Sequence, residues 1–201
     1  MPPKIVFSKE QIIDAAFDIF KEGGIESITV RKLAGKLNSS TAPIYTSFGN
    51  VEDIKKQLMD KALDLLLEYT EKEYTQDIFL NIGMGLLEFA KEYKIVYREL
   101  FMENSKYHYI LKEFNRRNFL QMKKEKYLLQ FEEKDLIKML DMMSVYTLGI
   151  AALLCAGMLE DESREYFKRE LDEMGNCVIG SFAHRRGLME QFETESRKDC
   201  T

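Results

Sequence analysis

Cysteine and histidine are scarce in this chain, and that scarcity excludes a good deal. Cys155, Cys177 and Cys200 are odd in number and widely spaced, and His108 and His184 stand far apart. No CxxC or other ligand-like spacing occurs, whereas zinc sites need several clustered Cys, His or carboxylate ligands. Neither a metal centre nor a disulfide framework is expected, and the cysteine usage agrees with a reducing compartment. Cys155, set in an apolar stretch, reads as a small buried hydrophobe. Long hydrophobic runs are missing as well. The nearest, residues 146–158, is shorter than the roughly 18 to 20 apolar residues of a membrane span, so a buried helix is expected there and no membrane association. Met1-Pro2-Pro3-Lys4 lacks the apolar run and cleavage site of a signal peptide, which places the expected location in the cytoplasm. Enzymatic signatures are absent too: there is no P-loop, no GxGxxG after a strand, no HExxH and no GxSxG. With no nucleophile–base pair in view, no catalytic residues, no cofactor and no enzyme activity are expected.

What remains is a globular composition, 45% hydrophobic and 31% charged over 201 residues, enough for one sizeable core or two small ones. The net charge of −5 argues only weakly against nucleic acid, because binding depends on where charges lie. Up to Asn50 six cations face five anions, which leaves −6 for the rest of the chain. Order matters more than the sum. Anions dominate the first helical stretch, whereas Arg31, Lys32 and Lys36 cluster just before "SSTAPIYTSFGN", residues 39–50, an uncharged and hydroxyl-rich segment.

Apolar spacing around that segment predicts three helices. Ser8 with Gln11 has the pattern of a capping box, and Ile13, Ala16, Phe17 and Phe20 recur at i, i+3, i+4, i+7 until Gly23-Gly24. Thr29 is the next N-cap, followed by Val30, Leu33, Ala34 and Leu37. After a turn at Asn38 and Ser39, a third short helix tolerates Pro43 in its first turn and carries Ile44, Tyr45 and Phe48 as its apolar side. Two short helices joined by a tight turn and braced by a longer one make a helix-turn-helix, whose second helix is free to enter a major groove. Ser40, Thr41 and Thr46 then present short hydroxyls suited to phosphates or base edges. A long helix is expected from Val51 to about Tyr74. Further helices are expected at about 77–92, 93–102, 107–130, 134–158 and 163–185, with no strand and no internal repeat.

Residues 28–54, "ITVRKLAGKLNSSTAPIYTSFGNVEDI", resemble the DNA-binding region of the TetR family of bacterial transcriptional regulators, with matching order and spacing from Ser8 to Leu58. "SVYTLGIAALLCAG", residues 144–157, resembles the first of the two helices through which such proteins dimerise. The resemblance implies an all-α protein with a helix-turn-helix domain over residues 1–50. A long helix would join it to a helical ligand-binding and dimerisation domain over 51–201. The implied partners are palindromic operator DNA, a second copy of the chain, and a small apolar or amphipathic effector whose binding releases a repressor. The DNA-contacting candidates are Thr29, Arg31, Ser40, Thr41, Pro43, Tyr45, Thr46 and Lys55, with Lys32 and Lys36 as weaker ones. The Tyr45 ring is expected to pack inward while its hydroxyl donates to a phosphate. Lys4 sits in a proline-stiffened arm that either reaches a minor groove or forms a tail. Three positions depart from the family pattern: Ser39, Pro43, and Val51 in place of a frequent phosphate-binding Lys, a role left to Lys55 or Lys56.

Among the many aromatic and methionine residues of the later helices, Phe89, Tyr93, Phe101, Phe119, Met122 and Met143 are the candidates to line an effector pocket. A plain core is the alternative reading of the same stripe. Glu88, Glu92 and Glu99 read as a solvated face or as a negative group for a cationic ligand. Gly149, Ala151, Ala152, Ala156 and Gly157, with Met174, Val178 and Phe182, are the expected dimer stripe. The rival function is a helical ligand-binding or interaction protein whose helix-turn-helix no longer reads DNA.

Overall fold

The computed structural model describes residues 7–103 and 105–189. Among them are nine α-helices and no strand: α1 (Lys9–Gly23), α2 (Val30–Lys36), α3 (Ala42–Ser47), α4 (Val51–Thr70), α5 (Ile78–Glu92), α6 (Lys94–Phe101), α7 (Tyr109–Met122), α8 (Glu133–Cys155) and α9 (Arg164–Arg186). Lys4 and Cys200 lie outside the described residues. The chain divides into two compact units, Met1–Leu65 with Tyr93–Ile110, and Leu66–Glu92 with Leu111–Thr201. Both α4 and α7 therefore contribute residues to each unit.

In the first unit, α1 starts as its sequence dictates. The Ser8 hydroxyl accepts from the Gln11 N–H at 3.2 Å while the Ser8 N–H donates to Gln11 Oε1 at 2.9 Å, which satisfies two of the donors a helix start leaves orphaned. Ile12, Ala16 and Phe20 are fully buried on one face. Gly24 then turns the chain at φ +72°, ψ 177°, a conformation open essentially to glycine. Thr29 caps α2 through the Lys32 N–H at 3.2 Å. Asn38 takes φ 48°, the one non-glycine residue in the left-handed region among those described, and so reverses the chain between α2 and α3. Asn50 performs a task not read from the sequence: its Oδ1 accepts from the Asp53 N–H at 3.0 Å, capping α4. Ile54, Leu58 and Met59 then turn inward with no exposure.

The second unit is built on α5, α8 and α9, which pack extensively on one another. α5 is buried along most of its length, from Phe79 to Ala90. Gly85 explains how α4 reaches it: a Cβ there would collide with the Tyr69 carbonyl and the Thr70 Cα, so only glycine allows this approach. α8 has 23 residues and a mean hydropathy of 1.5 over its most apolar 18, so by length and composition it reaches the range of a membrane span, contrary to the expectation from residues 146–158. Its Leu136, Met139, Leu140, Met143, Ile150, Ala151 and Leu154 are instead buried against its neighbours. The expected helix over 107–130 is also corrected, because α7 stops at Met122. The reason is tertiary. The Glu125 carboxylate accepts from the Ile78 N–H at 2.9 Å and from the Lys126 N–H at 3.0 Å, so it caps α5 and the following 3-10 turn at Lys126–Leu128 instead of continuing a helix.

Candidate functional site

Two places in the molecule gather the candidate residues, one in each unit. The first is the α2–α3 surface. Ile44 and Phe48 are 1% and 4% exposed, so they anchor α3 to the core of the first unit. The remainder of that short helix faces outward, as does the residue before it: Ser40, Thr41 and Thr46 are exposed and Pro43 is half-buried. Thr41 makes no side-chain capping bond. The Thr46 hydroxyl donates to the Ala42 carbonyl at 2.9 Å, leaving its lone pairs and methyl outward. Tyr45 corrects an expectation: it is 58% exposed, so its ring does not pack inward but stands out from the helix with its hydroxyl. The reason is geometric. Tyr45 follows the inward-facing Ile44 directly, and adjacent helix positions do not share a face.

Beside it, Arg31 and Lys32 open α2, both exposed and without an ion pair among the described residues. Thr29 is exposed but its hydroxyl is engaged as the cap of α2. Lys36 is paired with Asp18 at 3.4 Å. Lys55 is not brought to this surface. It is 7% exposed, with its Nζ 2.9 Å from Glu26 Oε2 and 3.7 Å from Glu52 Oε1, so the charge is spent inside the unit. Lys106 also pairs with Glu52, and its hydrogen bond holds the Glu52 carboxyl below the usual carboxylate range. Lys56, the next residue, is exposed.

The second place is a cavity of about 320 Å³ in the second unit. Its apolar wall includes Phe79, Leu86, Phe114, Leu140, Met143 and Leu171. Its polar wall includes Asp77, Asn118, Tyr127, Thr147, Lys168 and Asp172. The Tyr127 hydroxyl donates to Asp77 Oδ2 at 2.9 Å, and Asp77 Oδ1 accepts from the Leu80 N–H at 2.9 Å. Burial first, and then the Asp77 charge, pushes the Tyr127 phenol far above its ordinary range, so it stays protonated. The Thr147 hydroxyl is turned back to the Met143 carbonyl at 2.7 Å. Asn118 is 1% exposed and its Oδ1 meets no donor.

Of the six expected pocket residues, Met143 alone lines this cavity. Phe89 and Met122 are fully buried elsewhere, Tyr93 and Phe101 belong to the first unit, and Phe119 is half-buried off the wall. Glu88, Glu92 and Glu99 are each engaged: Glu88 with Arg164 at 2.8 Å, Glu92 with the Tyr69 hydroxyl, and Glu99 with the Ile25 N–H at 2.8 Å. The polar wall went unread in the sequence. Its signal is Asn118, four residues after Phe114 and therefore on the same face of α7.

An anchored helix with an open hydroxyl face, reached through a left-handed turn after a second short helix, defines a helix-turn-helix protein. No family model matches the chain. The HTH-type transcriptional regulator YvkB of Bacillus subtilis (strain 168) is 29% identical over 99 residues, which are 48% of this chain and 52% of the relative, so the match spans about half of that protein's length. A TetR-family transcriptional regulator from Streptomyces coelicolor is similar in structure, with a TM-score of 0.77 over 94% of this chain and 88% of its own at 13% identity. A TetR variant from Acinetobacter baumannii AYE, solved in complex with minocycline, has a TM-score of 0.55 over 90% of this chain and 98% of its own at 20% identity. The fold is that of the TetR-family regulators.

Proposed function

We propose that the chain is a ligand-responsive transcriptional regulator that binds palindromic operator DNA as a homodimer and acts as a repressor released by a small molecule. The observation that carries this reading is the division of α3, with Ile44 and Phe48 buried while Ser40, Thr41, Tyr45 and Thr46 stand open. A helix held in this way can lie in a major groove. In this reading Arg31, Lys32 and the Tyr45 hydroxyl hold phosphates, aided by the α2 N-terminus, and Thr41 and Thr46 face base edges. Lys56 takes the place first given to Lys55, whose amine is occupied by Glu26 and Glu52.

The homodimer is supported by α8, where Met142, Val145 and Leu153 are large apolar residues exposed at 42%, 73% and 44%, and by Met158 just after it, exposed at 70%. A second copy covering them would bury them, and reading half-sites one turn of DNA apart requires two recognition helices about 34 Å apart. Ala151, Val178 and Phe182 leave the expected dimer stripe, since each is already buried. The cavity of the second unit is the effector site in this reading, supported by its apolar wall and by the ligand-bound A. baumannii neighbour of the same fold.

Selection of bound fragments from random duplex DNA by the purified protein tests the reading. The expected product is a palindrome with half-sites one helical turn apart. Recovery of no enriched sequence at low salt would leave the protein without an operator. Tyr45→Phe and Arg31→Ala are expected to weaken all sequences alike, each lowering the log–log salt slope by about one. Thr41→Ala is expected to shift the preferred sequence.

A further inference from the structure

Gly175 lies in the middle of α9, where glycine is an unfavourable residue, and it lines the cavity of the second unit. Leu171, Gly175 and Ile179 recur there at i, i+4, i+8, so one face of α9 borders the space with two branched side chains and bare backbone between them. Packing does not demand this gap. Beyond the backbone of its own helix, a Cβ at Gly175 would meet only Met143 Cε among the described residues, at 4.0 Å, an ordinary contact distance. Gly83, which also lines the cavity, differs: a Cβ there would stand 2.9 Å from Leu171 Cδ1. What glycine supplies at Gly175 is therefore room.

The same space holds no ready partner for a charge. Among the described residues that line it, the charged ones are Asp77, Lys168 and Asp172. Both Asp77 oxygens already accept, from the Tyr127 hydroxyl and from the Leu80 N–H, while Lys168 and Asp172 are exposed and of opposite sign. Asn118 keeps its Oδ1 sealed within the protein, and the Thr147 hydroxyl is given to the Met143 carbonyl. An ion drawn in among Phe79, Leu86, Phe114 and Leu140 would lose its hydration with no counter-charge in return.

We infer that the cavity takes a neutral, mainly apolar molecule whose body lies across the bare backbone of Gly175 against Met143, and that the missing side chain at Gly175 sets the largest body admitted. This rests on the reading of the cavity as the effector site. It gives that effector a chemical class and names the position that selects its size.

Calorimetric titration of the full-length, DNA-free protein with the primary alcohols from hexanol to dodecanol reads the size limit. Affinity is expected to rise about fourfold with each added methylene and to level off once the cavity is full. In Gly175→Ala the levelling is expected one carbon earlier, because the added methyl occupies that volume. The same change is expected to raise the unfolding temperature of the free protein by about 2 to 4 °C, since alanine is the better helix former. Gly35→Ala, at an exposed glycine of α2 with open space around it, makes the same helical change in the first unit and is expected to leave the alcohol series as in wild type. Decylamine and decanoate are each expected to bind at least about tenfold more weakly than decanol, because each brings a charge that must be desolvated. An alcohol series that levels at the same length in Gly175→Ala and in wild type overturns the inference. So does either ion binding as tightly as decanol, or binding of no alcohol. Because no DNA is present, such a failure leaves operator selection standing. A protein that shows the series but selects no operator keeps the pocket and loses only the regulatory reading.

Discussion

Glu99 on α6 accepts a hydrogen bond from the backbone N–H of Ile25 at 2.8 Å, across 74 residues of sequence. The carboxylate is 7% exposed, and it sits where a Cβ on Gly24 would collide with it. This contact ties the segment Tyr93–Ile110 to the turn between α1 and α2, in the unit that also carries α3.

Removing the acceptor is expected to cost stability. Glu99→Ala orphans a buried N–H that now meets a charged partner, a loss of about 1.5 to 3 kcal/mol, and Glu99→Gln, which keeps an acceptor, is expected to lose less. Gly24→Ala meets both the positive φ and the Glu99 oxygen and is expected to lose more than about 1 kcal/mol. Urea unfolding curves of the three variants check the order.

The link between effector and operator is expected to run through α4, which belongs to both units. Asp60 and Lys61 are poor places to soften it, because Asp60 accepts from the Tyr109 hydroxyl at 2.7 Å and Lys61 pairs with Asp14. Asp64 and Glu68 are exposed and flank the boundary between Leu65 and Leu66. Asp64→Gly with Glu68→Gly costs about 1 kcal/mol of helix propensity per site. It is expected to reduce a coupling of about 1 to 3 kcal/mol between ligand and DNA while ligand affinity stays nearly constant. Titration of the operator complex with ligand measures this. Equal loss of DNA affinity in wild type and variant would exclude α4 as the link.

Ala152 is half-buried beside the exposed Gly149, Leu153 and Ala156. A carboxylate placed in that face would be buried without a partner on dimerisation, so Ala152→Glu is expected to give monomers and to lose operator binding at the same time. Sedimentation velocity at micromolar concentration reads the first outcome and DNA titration the second. A wild-type monomer under those conditions would remove the dimer.

Tyr74 gives a pH signature. Burial and then the Glu88 charge push its phenol up to about 12 from an ordinary value near 10, and its hydroxyl has no hydrogen-bond partner. The folded value lies above the unfolded one, so the stability held by the neutral phenol is present in full below pH 10 and is lost as pH rises toward 12. Tyr74→Phe is expected to make the decline of unfolding temperature between pH 10 and 12 shallower, with little change at pH 7. A series of thermal melts across that range tests it.

Much of the first fifty residues was legible without coordinates. The Ser8–Gln11 box, the Thr29 cap and the turn at Asn38 rest on local geometry, and the inward Ile44 and Phe48 were marked by their i, i+4 spacing. Such short-range rules survive any tertiary context that lets the helix form. The all-α class and the places of α5, α8 and α9 followed in the same way from apolar spacing. The end of α7 did not, because Glu125 is spent on the Ile78 N–H, 47 residues distant.

The functional side chains were harder to read for the same reason. Residue type suggested that Lys55 was a phosphate contact, that Tyr45 was an inward ring and that Glu99 was a solvated acid. Two of these were decided by a neighbour remote in sequence, Lys55 by Glu26 and Glu99 by Ile25, while Tyr45 was turned outward by the burial of Ile44 beside it. Phe89 and Met143 looked alike as pocket candidates, being apolar residues on amphipathic helices. One is sealed in the core and the other faces a cavity. Local periodicity tells which face of a helix is buried, but only the packing of α5, α7, α8 and α9 decides where that buried face leaves a gap.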